Sequence, residues 1–371
     1  MKIDELKIKD YVEILYDKPC FPIPWKDSKK LMAIDEECFS TLEINEKNEI
    51  VTEKIVDFPN TMDWESYGTV LKEMNILYAT NYTTYYFYDL NTGKKTTLTP
   101  IISRKVDCKY CMPLDNGNKI ILLQYCGYTI ETCFFIIYDL KNDKYIYNAW
   151  NDDEGNLCED IIVNVLEPGI AIRRELERNE RMHVINIGVK KFYAYDFIKK
   201  TKVENNLANY LTKMNSYPAY IFLEQKICLL KGFPNILTWE NPDYKNIKIN
   251  PLFTANIENS DYTHDYELLS GHTYNYGWII LKICKFDYGI NGETLYQLAF
   301  LKVDSPVRIP VVIDEYWKKI PNLFFIEHPV YGVCCLIREK KDNKKYYRIY
   351  KMNDVEKIIQ EYMSKQVQNL M

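Results

Sequence analysis

The stretch Tyr85–Lys94 reads YYFYDLNTGK: an aromatic run, one acidic residue, one leucine and then a glycine turn. It returns as Phe134–Lys144, FFIIYDLKNDK, and as Phe192–Lys200, FYAYDFIKK. Apolar residues flanking a single polar one ahead of a turn are the period-two signature of a strand entering a hairpin. A phrase that recurs in this way makes internal repetition the first question to ask of the chain.

Aligned on the polar residue of the phrase, seven beats fall at Glu43, Asp89, Asp139, Asp196, Asn256, Lys302 and Lys351, separated by 46, 50, 57, 60, 46 and 49 residues. The residues after them (Ile44, Leu90, Leu140, Phe197, Ile257, Val303, Met352) are all large and apolar. Three beats are plain in the sequence, and four are placed by spacing. Upstream of each lies a turn and an apolar run: Lys30–Ile34, Asn75–Ala79, Lys119–Gln124, Gly169–Ile172, Lys226–Leu230, Gly277–Ile283 and Gly332–Ile337. Weaker strands follow the beats, as at Thr96–Ile101 or Arg308–Ile313, and others precede them, as at Leu323–Glu327. The unit is therefore four antiparallel strands.

A four-stranded unit of this length, repeated seven times, predicts an all-β, seven-bladed β-propeller with a short C-terminal helix. One twisted sheet leaves both faces bare, and a ring of sheets covers each face with its neighbour. A pair of β-sandwiches is the competing arrangement. The chain resembles seven-bladed propellers of the TolB, YVTN and quinoprotein-like kind, whose third strand often ends in a similar YDL-x-TGK phrase. It lacks repeated WD dipeptides, the paired glycines of kelch and the tryptophan-docking motifs of quinoprotein blades. The resemblance therefore brings no cofactor with it.

The 371 residues are 47% hydrophobic and 27% charged, with 32 tyrosines and a net charge of −5. Tyrosine and β-branched residues suit a pleated, half-buried surface. No clustered Lys/Arg surface of the sort that displaces counterions from nucleic acid stands out. The N-terminus MKIDELKIKDYVEIL lacks the apolar core of a signal peptide, and no stretch reaches the ~18 apolar residues of a membrane span. Eleven scattered cysteines read as reduced thiols. The expectation is a cytoplasmic monomer, a single domain over residues 1–371, without nucleic-acid or membrane partners.

A ring must be locked where its ends meet. Tyr11–Leu15, YVEIL, is expected to supply the outer strand of the last blade. Residues 353–371 read as a helix, with Asn353 as N-cap and Val355, Ile358, Ile359, Tyr362 and Met363 on one stripe. The alternative makes Val355–Tyr362 itself the outer strand.

Loops leading into the inner strands (Pro24–Lys26, Phe58–Tyr67, Ala149–Glu159, Asp261–His272, Asp314–Pro321), and those between second and third strands (Lys231–Asn246, Lys285–Glu293), share one rim in a propeller. Trp25, Trp64, Trp150, Trp239 and Trp317 fall in these segments, and only Trp278 sits in a strand. Aromatic side chains give large contact area at low entropic cost, so a shared rim for a protein, peptide or glycan is one reading. Packing wedges between blades are the other. Asp261–Trp278 brings His264, Asp265 and His272 into one stretch without metal-site spacing, and His272 joins the rim candidates.

Asn151–Asn156 lacks the phase of a calcium loop. Cys108-x-x-Cys111 lacks a second pair, and the adjacent Cys334 and Cys335 must leave a strand on opposite faces. Arg173–Arg181, RRELERNER, reads as a solvated hairpin. The function expected is binding or scaffolding of a protein or glycan partner, with no cofactor and no metal. The alternative is a glycan hydrolase or lyase using carboxylates such as Asp63, Glu65, Asp107 or Glu327, which would have to oppose one another at roughly 5–10 Å.

Overall fold

The structure, a computed structural model, describes residues 5–16, 23–24, 29–34, 38–57, 67–81, 84–98, 106–127, 134–148, 161–167, 169–175, 191–216, 218–222, 225–230, 235–240, 244–255, 267–268, 276–286, 294–341 and 344–368. Two short strands come first, β1 (Lys7–Ile8) and β2 (Val12–Leu15). The first sheet is β3 (Ile23–Pro24), β4 (Leu31–Ile34), β5 (Cys38–Ile44) and β6 (Ile50–Asp57). The second is β7 (Tyr67–Leu71), β8 (Ile76–Asn81), β9 (Thr84–Asp89) and β10 (Lys95–Leu98). The third is β11 (Val106–Asp115), β12 (Ile120–Gly127), β13 (Phe134–Asp139) and β14 (Lys144–Asn148). The fourth is β15 (Ile161–Glu167), β16 (Ile170–Glu175), β17 (Lys191–Asp196) and β18 (Thr201–Val203), followed by helix α1 (Asn206–Met214).

The fifth sheet is β19 (Pro218–Phe222), β20 (Ile227–Leu230), β21 (Asn235–Glu240) and β22 (Lys245–Pro251). The sixth is β23 (Glu267–Leu268), β24 (Trp278–Phe286), β25 (Thr294–Lys302) and β26 (Val311–Ile313). The seventh is β27 (Leu323–His328), β28 (Gly332–Lys341) and β29 (Lys344–Lys351), followed by helix α2 (Met352–Gln368). Seven sheets, antiparallel but for one pair made by β1, give the fold class: a seven-bladed β-propeller with a C-terminal helix. The chain divides into two compact units, Met1–Asn60 with Lys231–Ile236 and Ile249–Met371, and Thr61–Leu230 with Leu237–Lys248.

The acidic residue of the repeated phrase has a local job. Asp89 Oδ1 accepts from the Asn91 and Thr92 N–H groups at 2.9 and 3.2 Å, Asp139 Oδ1 from Asn142 at 2.9 Å, and Asp196 Oδ1 from Ile198 and Lys199 at 2.9 and 2.8 Å. Each carboxylate closes the hairpin turn that follows it. Hydrogen bonds to the ionised form hold these groups below the usual carboxylate range, from the Asn142 side chain at Asp139 and from the Lys199 N–H at Asp196. The turns into the second strands carry left-handed backbone at Asn75, Lys119, Gly169, Lys226, Gly277 and Gly332. At Gly277 (φ 73°) a Cβ would lie 2.1 Å from Asp304 Oδ2, so no other residue fits without moving Asp304.

Six of the seven beats end or lie in a third strand as expected: Glu43 in β5, Asp89 in β9, Asp139 in β13, Asp196 in β17, Lys302 in β25 and Lys351 in β29. The fifth does not. Asn256 lies outside the described residues, and the third strand of that sheet is β21, inside what the sequence suggests is the Lys231–Asn246 loop. The hydrogen-bond pattern places the true beat at Leu237-Thr238-Trp239. Trp239 N–H donates to Lys226 O, as Phe197 N–H donates to Gly169 O and Leu140 N–H to Lys119 O in the preceding sheets.

In the second unit, Tyr78, Tyr85 and Phe87 of the second sheet pack against Ile121, Leu123, Ile136 and Tyr138 of the third. Lys119 pairs with Asp89, and Lys94 Nζ donates to Leu140 O at 3.0 Å, so the polar ends of the two sheets are tied as well as their faces. Met112, Leu122 and Ile137 of the third sheet meet Ala171 and Phe197 of the fourth. Arg173 is buried there, its guanidinium 4.9 Å from the centre of the Tyr195 ring. This corrects the reading of Arg173 as part of a solvated hairpin: its cation lies over the Tyr195 ring.

Helix α1 was not anticipated. Asn205 Oδ1 caps it by accepting from Ala208 N–H at 2.9 Å, and Leu207, Ala208 and Leu211 are buried with Phe192, Ala194, Leu237 and Trp239. Thr212 Oγ1 accepts from Phe192 N–H at 2.8 Å and donates to Phe192 O at 3.1 Å, fastening the helix to β17.

In the first unit the outer strand of the seventh sheet is β2, antiparallel to β29, as expected for Tyr11–Leu15. The strand β1 adds a fifth member to the sixth sheet, parallel to β26. Residues 7–15 thus span two sheets, burying Ile8 in one hydrophobic cluster and Ile14 in another. Lys7 and Lys9 both reach Asp314 at 3.0 Å. Cys335 joins the cluster with Trp278, Phe300 and Phe325, and Cys334 the one with Phe324, Ile326 and Leu42, confirming their opposite faces. Helix α2 begins at Met352, so Asn353 is no N-cap: it lies in the first turn and donates from Nδ2 to Tyr331 O at 3.3 Å. Val355, with Ile358 and Ile359 beside it, packs onto the sixth and seventh sheets, which excludes the alternative of an outer strand there.

His328, 1% exposed, ends β27. Its Nδ1 accepts from the Val330 and Tyr331 N–H groups at 3.1 and 3.3 Å, so Nε2 carries the proton and donates to Asn48 Oδ1 at 3.1 Å. Burial, then the Lys351 charge, hold its pKa below 6.5. The unfolded chain thus binds the proton more readily. Its contribution to stability is complete above the unfolded pKa and is lost as pH falls through the folded one. Urea unfolding at pH 7.5 and 5.0 is expected to show a larger loss of stability on acidification for the wild type than for His328→Gln; equal losses would contradict this assignment.

Candidate functional site

The alternation of β2 decides what it offers to either side. Tyr16 N–H donates to Lys345 O at 3.1 Å, in register with the pairs Ile14–Tyr347 and Val12–Ile349. In an antiparallel pair, every second residue points both backbone groups at its partner. Val12, Ile14 and Tyr16 are therefore turned toward β29, and the N–H and C=O groups of Glu13 and Leu15 are directed off the outer edge. Among the described residues, those groups meet no backbone partner.

The Ile14 side chain is buried with Leu31, Leu42, Ile44, Phe324 and Ile326, and Val12, Tyr16 and Ile50 pack at the margin of that cluster. Outward from it opens a groove of about 850 Å³ walled by two segments, Val12–Tyr16 and Lys47–Thr52. The second wall is a fixed turn. Asn45 Oδ1 accepts from the Lys47 and Glu49 N–H groups at 2.9 Å each, and Asn45 Nδ2 donates to Glu49 Oε2 at 2.9 Å. Asn48, left-handed at φ 61°, is anchored by His328. Large apolar side chains stay in water at this place: Leu15 is 66% exposed, Val51 41% and Tyr11 38%.

Beside the groove, the Tyr11 ring lies 4.6 Å from the Arg348 guanidinium carbon. Arg348 pairs with Glu315 and lies 3.9 Å from Glu339, which also accepts from Trp317 Nε1 at 2.8 Å. Burial opposes the guanidinium charge, and the two carboxylates outweigh it, so its pKa is raised. This cluster secures the N-terminal strand to the sixth and seventh sheets.

Of the sequence candidates, Trp25, Trp64, Trp150 and His272 lie outside the described residues. Trp239 is on strand β21, not in a loop, and is 5% exposed, with its ring 5.3 Å from that of Tyr244. Trp317 is in the expected segment after β26 but is 8% exposed, within the cluster of Phe300, Phe325 and Tyr350 and hydrogen-bonded to Glu339. Both are buried. Asp107 lies on β11 and Glu327 on β27, while Asp63 and Glu65 are outside the described residues. Among the described residues no group of three His, Cys, Asp or Glu side chains is placed to hold a metal. No helix there is long and apolar enough to cross a membrane.

No family model and no curated protein matches this chain. Solved structures do resemble it. The β-propeller domain of Cps50 (Swd1) from Myceliophteria thermophila is 7% identical over 92% of this chain and 99% of its own, with a TM-score of 0.48. The WD40 domain of SCAP from fission yeast is 10% identical over 94% and 90%, with a TM-score of 0.40. A chain of a mitotic checkpoint complex is 10% identical over 94% and 95%, with a TM-score of 0.43. The likeness is one of fold.

The groove itself was not foreseen. Its signal in the sequence was the pair of apolar residues at the solvent positions of β2 and β6, Leu15 and Val51. It becomes visible only once Val12–Leu15 is known to be an outer strand.

Proposed function

We propose that this chain is a non-enzymatic binding protein that engages a protein partner, and that the groove between Val12–Tyr16 and Lys47–Thr52 is its docking surface. The observation that carries the reading is the exposure of Leu15 and Val51 at a groove whose walls are held by hydrogen bonds and a buried cluster. Apolar side chains kept in water on a rigid frame are what association with another protein covers. The rim formed by the loops of Trp25, Trp64, Trp150 and His272 is a second contact surface in this reading, for peptide or glycan.

Affinity capture with the wild-type chain and with Leu15→Asp tests it, read by quantitative mass spectrometry with cross-linking. A partner depleted more than tenfold on the variant and cross-linked at Lys47 is the expected result; equal capture removes the groove from the reading. Trp64→Ala and Trp150→Ala in the same experiment, and on a glycan array, test the rim. Binding lost only in those variants would move the surface there.

A further inference from the structure

We infer that the partner enters as an extended peptide segment, which adds to the outer edge of β2 as a further strand of the seventh sheet. The inference rests on the binding reading above and names the chemistry of what binds. Three observations lead to it. The outward N–H and C=O groups of Glu13 and Leu15 are a short row of donors and acceptors that a neighbouring strand completes. The molecule already does this one sheet away, where β1 adds to the outer edge of β26 as a fifth strand. And the groove beside the edge offers apolar wall from Val12, Ile50 and Val51 for the side chains of an added strand.

Charge selects among such peptides. Glu13 is exposed and makes no ion pair among the described residues, and Glu49 lies on the opposite wall, held by Asn45. A lysine or arginine directly across from Glu13, with apolar residues at alternate positions around it, matches this surface. The edge is only four residues long, which suits one short segment and not a second whole sheet.

The test uses the full chain and a displayed library of random twelve-residue peptides. Enriched peptides are expected to alternate apolar residues with Lys or Arg, and a synthetic copy to slow amide exchange at Glu13 and Leu15. The decisive variant is Glu13→Pro. It deletes an outward N–H that the sheet's own ladder does not use, so the fold tolerates it, whereas Ile14→Pro would break pairing with β29. A tenfold or greater loss of peptide affinity in Glu13→Pro, at an unchanged melting temperature, supports strand addition. Unchanged affinity overturns it, and so does enrichment of helical or patternless peptides, or no enrichment. A concentration-dependent dimer of the chain abolished by Glu13→Pro would also overturn it, in favour of a second copy on this edge. If Leu15→Asp loses the peptide while Glu13→Pro keeps it, the docking surface stands and strand addition falls. If both keep it, both readings fall.

Discussion

Deletion of residues 1–16 is expected to cost at least about 5 kcal/mol and to leave a chain that unfolds early and aggregates. Ile8 and Ile14 are 3% and 5% exposed and sit in different clusters, so one cut opens two cores. Large-to-small losses at buried aliphatic positions cost about 2–5 kcal/mol each, and here entire side chains leave. The cut also strips the outer strand from the seventh sheet and the fifth strand from the sixth, baring the edges of β29 and β26. The Tyr11 ring over Arg348 and the ion pairs of Lys7 and Lys9 with Asp314 go with them. Thermal unfolding and light scattering of the truncated chain check this. A synthetic peptide of residues 1–16 should restore the lost stability when added in excess, because the missing contacts are non-covalent. A truncated chain as stable as the full one would mean that the N-terminal strands only decorate the sheets.

Trp239→Ala is expected to destabilise the fold by about 3–5 kcal/mol, the range for large aromatic side chains removed from a core. Its ring is packed with Leu237, Leu230, Phe192 and the buried face of α1, so the cavity would open between a helix and two sheets. Chemical denaturation of the variant reads the effect directly, and Trp239→Phe should retain much of the stability. The outcome also separates two roles for this residue. A binding-rim tryptophan would lose partner affinity at full stability, and a core tryptophan loses stability first. A stable Trp239→Ala that fails to bind would return it to the rim.

That contrast shows where the sequence could be read and where it could not. The beats at Asp89, Asp139 and Asp196 were legible because they report local chemistry, a carboxylate closing a turn within three residues of itself. Fixed spacing is a weaker guide. At the fifth sheet it led to Asn256, while the same apolar–polar–apolar rule applied to Leu237-Thr238-Trp239 would have found the strand. Helix α1 had its own signal in Asn205, a capping residue, followed by Leu207, Ala208 and Leu211 at helical spacing. For the candidate site, the expectation placed tryptophans on a rim, and the two that the structure describes are inside.

The sequence left the last outer strand open between Tyr11–Leu15 and Val355–Tyr362, but by itself it determined the repeating four-strand unit and the turns that bound it. Both follow from side-chain alternation and turn chemistry over a few residues. Tertiary structure alone decided that residues 7–15 divide between two sheets, and that the backbone groups of Glu13 and Leu15 face outward beside an apolar groove. It also decided that Trp239 and Trp317 are packed away. The strand pairings depend on which strand lies beside which across more than three hundred residues of chain, and the tryptophan burial on packing between elements; no pattern within a single strand carries that information.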